Sequence, residues 1–130
     1  HRFMEACVSQ GKAEGYSVTM YGRRRPLPEL GSSNYNRRQF GERAAMNTPV
    51  QGAAADIIKI SMNAVHDELA IERRSARLIL QVHDELIVET PVEEQEKVTA
   101  LLRRCMEGAA RLRVPLVADV HAGHSWYDTK

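Results

Sequence analysis

The chain has 130 residues, 43% apolar and 27% charged, and its 18 Lys+Arg against 17 Asp+Glu leave a formal net charge of +1. Such values describe a globular domain that buries one core, and they exclude disordered, collagen-like and disulfide-scaffold chains. No run nears the ~20 apolar residues of a membrane helix, and no signal-peptide pattern opens the chain. Cys7 and Cys105 have neither CxxC nor zinc-site spacing, so a reducing compartment is the default. The first residue is His1 rather than Met, which raises the expectation of a piece of a longer chain.

Residues 1–14 read as a short helix with Phe3, Met4, Cys7 and Val8 on one side, closed by Gly15. Tyr16 to Tyr21 is β-prone, and Gly22 to Leu30, with three arginines and two prolines, reads as a turn with an extended return. After a Gly-Ser-Ser-Asn loop, Tyr35 to Met46 reads as a helix that Thr48-Pro49 interrupts. Thr48, Pro49 and Gln51 then fit the N-cap, first-turn proline and T-x-x-Q box of a new helix running from Pro49 to about Arg74. Ala54, Ile57, Ile58, Ser61 and Val65 would form its buried stripe. Two apolar runs, Leu78–Val82 and Leu86–Val88, flank His83-Asp84-Glu85 and predict a tight hairpin. Val98, Leu101, Leu102, Cys105, Met106, Ala109 and Leu112 mark an amphipathic helix, and Val114 to Val120 a last strand. The fold class is α+β: two short hairpins and a C-terminal strand with several helices. All seven aromatics fall outside residues 41–125, so the middle core must be aliphatic.

Charge is unevenly placed. Residues 1–45 hold eight Lys/Arg against four Asp/Glu, whereas residues 46–90 hold four against seven. A basic segment followed by clustered carboxylates suits a protein that grips phosphates and holds a metal, although a solvated surface with uneven charge reads the same way. The string Val-His-Asp-Glu-Leu occurs at 65–69 and again at 82–86. The first copy lies late in a helical pattern, where its polar residues face solvent. In the second, Asp84 sits at a hairpin tip, a platform for a metal ligand, and also a place where turns favour Asp structurally. His121-Ala-Gly-His124 is a weak metal-pair signal.

Gln81-Val82-His83-Asp84-Glu85-Leu86 resembles motif C of the family A DNA polymerases, the bacterial DNA polymerase I group. Tyr21-Gly22-Arg23-Arg24-Arg25, Glu42 through Gly52, Ala54 through Lys59, Val114-Pro115-Leu116 and Trp126 extend the likeness over essentially the whole chain, in order. The resemblance implies residues 1–48 as the end of a fingers subdomain and residues 49–130 as part of a palm. Asp84 would be one of two aspartates holding two divalent ions, normally Mg2+, and Glu85 the adjacent supporting acid. His83 would contact the primer end. Arg43, Asn47 and Gln51, spaced four and four, would contact backbone and minor-groove acceptors that every base pair offers; read from spacing alone, Gln51 completes the capping box. Arg23 and Arg24, with Arg25, would meet template phosphates or form a solvated loop tip.

Motif A, with the second aspartate ligand, and the nucleotide-gripping fingers helix are absent from these 130 residues, and no Lys-x-x-x-Phe-Gly pattern occurs. The implied whole is a cytoplasmic polymerase acting in DNA replication and repair. Its partners would be primer–template DNA, deoxynucleoside triphosphates and its own N-terminal part, with no membrane. The 130 residues alone are expected to be inactive. Two other readings are a non-catalytic, sequence-independent DNA-binding module and a small metal hydrolase built on His83, Asp84, His121 and His124. Packing partners lost from a larger molecule would leave apolar surface on the Ile57/Ile58 helix or the Leu78–Val88 hairpin.

Overall fold

The computed structural model describes residues 2–129. Its elements run α1 (Arg2–Glu14), β1 (Tyr16–Val18), β2 (Arg24–Pro26), a 3-10 turn (Pro28–Gly31), α2 (Tyr35–Ile71), β3 (Arg77–Val82), β4 (Glu85–Glu89), a 3-10 turn (Val92–Glu94), α3 (Gln95–Glu107) and a last 3-10 turn (Trp126–Thr129). The class is α+β, with two separate antiparallel hairpins, β1–β2 and β3–β4. No helix among the described residues is long and apolar enough to cross a membrane. Two compact units divide the chain, His1–Asp56 and Ile57–Lys130. The first unit reaches Asp56, whose carboxylate both Thr19 and Arg23 bond.

In the first unit, α1 ends where Gly15 turns left-handed at φ +77, and the Gly15 N–H donates to Gly11 O at 2.9 Å. Glycine takes that conformation without the penalty a Cβ brings. β1 is shorter than the predicted 16–21. The register pairs Tyr16 with Pro26, Ser17 with Arg25 and Val18 with Arg24, and Thr19 to Gly22 close the turn through a 2.9 Å bond between Gly22 N and Thr19 O. Asn34 caps α2, its Oδ1 accepting from Arg37 N at 3.2 Å. Leu27, Leu30, Ala44 and Ala45 form the core, with Val8 packed on it.

The predicted break at Thr48-Pro49 does not occur: α2 is one 37-residue helix with Pro49 inside it. Proline lacks the N–H that would bond Ala45 O one turn back, and an interior proline costs roughly 3 kcal/mol. Ser17 Oγ, from β1, donates to that orphaned carbonyl at 3.4 Å. Thr48 is no N-cap and starts no capping box; its buried hydroxyl donates back to Ala44 O at 2.6 Å. The proline is thus tolerated because tertiary structure supplies the lost donor.

In the second unit α2 stops at Ile71, short of the predicted Arg74. Arg73 is left-handed at φ 51, while Arg73 N donates to Ala70 O at 3.1 Å and Arg74 N to Leu69 O at 2.9 Å. That is a Schellman stop carrying Arg where glycine is usual. The buried stripe is Ser61, Val65 and Leu69; Ile57 and Ile58 are half-buried and Ala54 is exposed, against expectation. Val65, Leu69, Ala76, Val98, Leu101, Leu102 and Cys105 make the core, with Leu78, Leu86 and Val88 of the hairpin against it. No aromatic takes part, as the sequence predicts. α3 ends at Glu107, before Leu112, with Gly108 N donating to Arg104 O.

The expected strand over 114–120 does not form. A strand exists only as one side of a ladder, and no described strand pairs with this segment. The Ala118 N–H instead donates to Glu107 Oε1 at 3.2 Å, and Val117 is 72% exposed. Apolar surface is open on the β3–β4 hairpin as predicted, with Ile79 57% and Leu80 47% exposed. The same edge carries a bulge, since Leu78 pairs with Val88 and Leu80 with Ile87, leaving Ile79 extra.

Candidate functional site

Each unit contains its own group of candidate residues. In the second, Val82 pairs with Glu85, so the hairpin loop is only two residues, His83 and Asp84. Glu85, predicted within the turn, is the first residue of β4. His83 sits at φ 52, a left-handed position where His is tolerated better than most residues. Gln81 Nε2 donates to His83 O at 2.5 Å, tying the strand to the strained tip. The outcome is three polar side chains, His83, Asp84 and Glu85, all exposed on a backbone held by the ladder on both sides.

Asp84 and Glu85 line one end of an open groove of about 1210 Å³, whose walls include Val88, Leu102, His121 and Trp126. The two adjacent carboxylates are hard oxygen donors of the kind magnesium takes. Among the described residues no three His, Cys, Asp or Glu side chains gather into a metal-holding group. Asp84 and Glu85 could supply at most part of a cation's coordination sphere. It gives no support to a hydrolase centre of His83, Asp84, His121 and His124.

Glu68 and Glu72 face a different partner. Arg104 reaches Glu68 Oε2 at 2.9 Å and Glu72 Oε1 at 3.2 Å, while Arg74 bonds Glu72 Oε2 at 2.7 Å. The Arg74 and Arg104 guanidiniums hold the Glu72 carboxyl below its ordinary range. These ion pairs tie Glu68, late in α2, and Glu72, in the turn after it, to α3, so the first Val-His-Asp-Glu-Leu copy spends its glutamate on a structural contact. Burial pushes the Cys105 thiol up, the opposite of the shift that a reactive thiolate needs.

In the first unit, Arg43, Asn47 and Gln51 are all exposed and lie on the uninterrupted helix α2. Spacings of four keep them on one face, successive members about 6 Å apart along the axis. Ala45, on the far side, and Ala44 and Thr48, flanking the face, are buried. The continuity of α2 is what aligns the three, and local sequence, with its apparent cap, argues against that continuity.

The basic turn lies beside this face. Arg23, Arg24, Arg25 and Gln51 line a pocket of about 390 Å³ with Thr19 and Gly52. The Arg23 guanidinium pairs with Asp56, and the Arg24 guanidinium carbon lies 4.7 Å from the centre of the Tyr16 ring. Sequence reasoning found the arginines and Gln51 but gave Thr19, Gly52 and Asp56 no part. The only available signal was the four-residue step from Thr48 to Gly52 to Asp56, which puts a gap and a carboxylate on one stripe.

Comparison with known proteins matches residues 1–128 to the model of DNA polymerase family A. The chain is 54% identical over 129 residues to DNA polymerase I of Bacillus caldotenax, covering 99% of this chain and 15% of that protein. It is 52% identical over 128 residues to DNA polymerase I of Bacillus subtilis (strain 168), covering 98% of this chain and 14% of that protein. This chain therefore spans about 15% of the length of the curated relatives it matches. Among solved structures, the POL domain of Pol1 from M. smegmatis, in complex with DNA primer-template and dNTP, superposes with a TM-score of 0.94 at 44% identity. That match covers 97% of this chain and 22% of the other.

Proposed function

This chain belongs to DNA polymerase family A, and from that premise we propose that it supplies part of the active site and part of the DNA-holding surface of a DNA-directed DNA polymerase. The parent protein would extend a primer 3′ end with deoxynucleotides, in DNA replication and repair. The observation that carries the reading is the hairpin tip: Asp84 and Glu85, side by side and exposed at a two-residue turn, inside the string Gln81 to Leu86.

Polymerases of this family depend on a metal, and we take the ions to be magnesium. Asp84 would be the ligand on this chain, with Glu85 keeping the local potential negative. Leaving two adjacent carboxylates without a cation is costly, and binding one relieves that repulsion. The chemistry supplied by the bound ions is activation of the primer 3′ hydroxyl and neutralisation of charge on the leaving pyrophosphate. The second aspartate would come from the polymerase outside this segment. His83, at the same tip, would touch the primer end.

Arg43, Asn47 and Gln51 would hold primer–template DNA. Their donors reach backbone oxygens and the minor-groove acceptors common to every base pair, so they support binding without sequence preference. Arg23 and Arg24 bring positive charge to the backbone beside Gln51. Protein catalysis is then mostly placement and electrostatics. Cytoplasmic, nucleoid-associated placement follows from the same reading.

Primer extension by the polymerase carrying this segment tests it. Asp84→Ala is expected to lower the single-turnover rate about a hundredfold to a thousandfold, the scale for removing a group that stabilises the transition state. Unchanged extension with retained DNA binding would instead favour the non-catalytic DNA-binding module, and would remove the enzymatic role of this hairpin.

A further inference from the structure

Nothing in local sequence explains why the basic turn sits where it does. β1 and β2 share only three residue pairs, and a two-stranded hairpin that short is marginal alone. The hairpin also carries three consecutive arginines, Arg23 at the end of the turn and Arg24 and Arg25 on β2, whose repulsion works against a fixed shape. We propose that Thr19, Gly52 and Asp56 form a lock that seats this hairpin on α2, with Asp56 a positioning residue for the phosphate-facing arginines. The proposal rests on the polymerase reading and deepens it.

Two independent observations carry it. One is steric: a Cβ built on Gly52 would overlap Thr19 Cγ2, so the absence of a side chain there admits the turn to the helix. The other is the bonding at the same point. Thr19 Oγ1 donates to Asp56 Oδ2 at 2.8 Å, and accepts from the Tyr21 and Arg23 amides at 3.3 Å each. Its one donor and two acceptor sites are thus all used. Asp56 Oδ1 accepts from the Arg23 guanidinium. The Asp56 side chain is only 11% exposed while that of Arg23 is 45% exposed, so the carboxylate is shielded from water on one side of the pair.

Thr48, Gly52 and Asp56 recur every four residues, one stripe of α2, and Gln51 lies on the neighbouring stripe. The lock therefore sets how far the hairpin stands from Gln51, and Arg24 and Arg25 line the pocket they share with it. Arg23 adds an anchoring contact, through Asp56, to the charge it shares with Arg24, which lies on Tyr16, and Arg25.

The test is a coupling measurement on the full polymerase, with primer–template Kd as the readout. Arg24→Ala should weaken binding about tenfold when the lock is native, and less than about twofold in the Gly52→Ala background. A merely structural role for Gly52 would lower stability and leave the Arg24→Ala effect intact in the folded protein. Should Gly52→Ala fail to fold, Asp56→Asn asks the same question without adding bulk. Equal losses in both backgrounds would overturn the lock while leaving the DNA-binding reading standing. No loss from Arg24→Ala in either background would overturn that reading of the hairpin, and the proposal with it.

Discussion

The two hairpins are held in different ways. β1–β2 is three pairs long and is fixed from outside, by Ser17 on the Ala45 carbonyl and by Thr19 and Arg23 on Asp56. β3–β4 is longer, with a ladder on both sides of a two-residue tip, Gln81 bonded to the tip backbone, and its apolar side chains Leu78, Leu86 and Val88 packed on the core. The difference teaches that a short element can carry charged groups in a defined place only by borrowing rigidity. Its cations depend on a helix that local sequence would break. The acidic tip depends on its own strands, and for that reason it could be read directly.

Four measurements would break or sharpen this contrast. The largest stability effect should come from Gly52→Ala, where overpacking against Thr19 costs about 1–3 kcal/mol in a urea melt. A comparable small-to-large change at an exposed tip residue, Asp84→Glu, should stay within about 0.5 kcal/mol. Next, Ser17→Ala leaves the Ala45 carbonyl without a donor and should cost about 1 kcal/mol. In a Pro49→Ala background the helix regains its own N–H, so the same change should cost clearly less; equal costs would show that Ser17 does not replace the lost bond.

His83→Gly relieves the left-handed strain at the acidic tip and should stabilise by up to about 1 kcal/mol. Destabilisation would mean that His83 packs or bonds more than its strain costs. The smallest effect concerns pH. Glu42, held down mainly by Lys12, and Glu72, held down mainly by Arg74, both titrate below the ordinary 4.5. Their contribution is complete above that unfolded value and is lost as pH falls through the lower folded one. Both carboxyls lie at the surface, so the effect is small and salt-sensitive. Thermal melts between pH 6 and pH 3 should show a shallower acid loss in Glu72→Gln than in the parent.

Much of the fold was legible because it is written in local chemistry. Gly15, the apolar period of Val98 to Cys105, and two apolar runs around His83-Asp84-Glu85 all specify their elements without help. The failures share a cause: tertiary structure overrode a local signal. Thr48-Pro49-Val50-Gln51 has every mark of a helix start, yet Ser17 from another element removes the reason for one. Arg73 stops a helix without the glycine that would announce it. Val114 to Val120 is β-prone but has no strand beside it. The candidate site divides along the same line. Asp84 and Glu85 stood out from sequence, and the spacing of Arg43, Asn47 and Gln51 gave a shared face, though on a bent helix rather than the continuous one observed, whereas the part played by Asp56 needed the hairpin seated on it.

The central claim is that the acidic tip serves chemistry and the helical face serves DNA binding. It is tested most directly by measuring primer–template Kd and the single-turnover incorporation rate together, on Asp84→Asn and Asn47→Ala of the full polymerase. The account predicts that Asp84→Asn lowers the rate at least about a hundredfold with Kd within about threefold, while Asn47→Ala shifts Kd more than it shifts the rate at saturating DNA. An Asp84→Asn variant that loses DNA affinity and keeps its rate would contradict it.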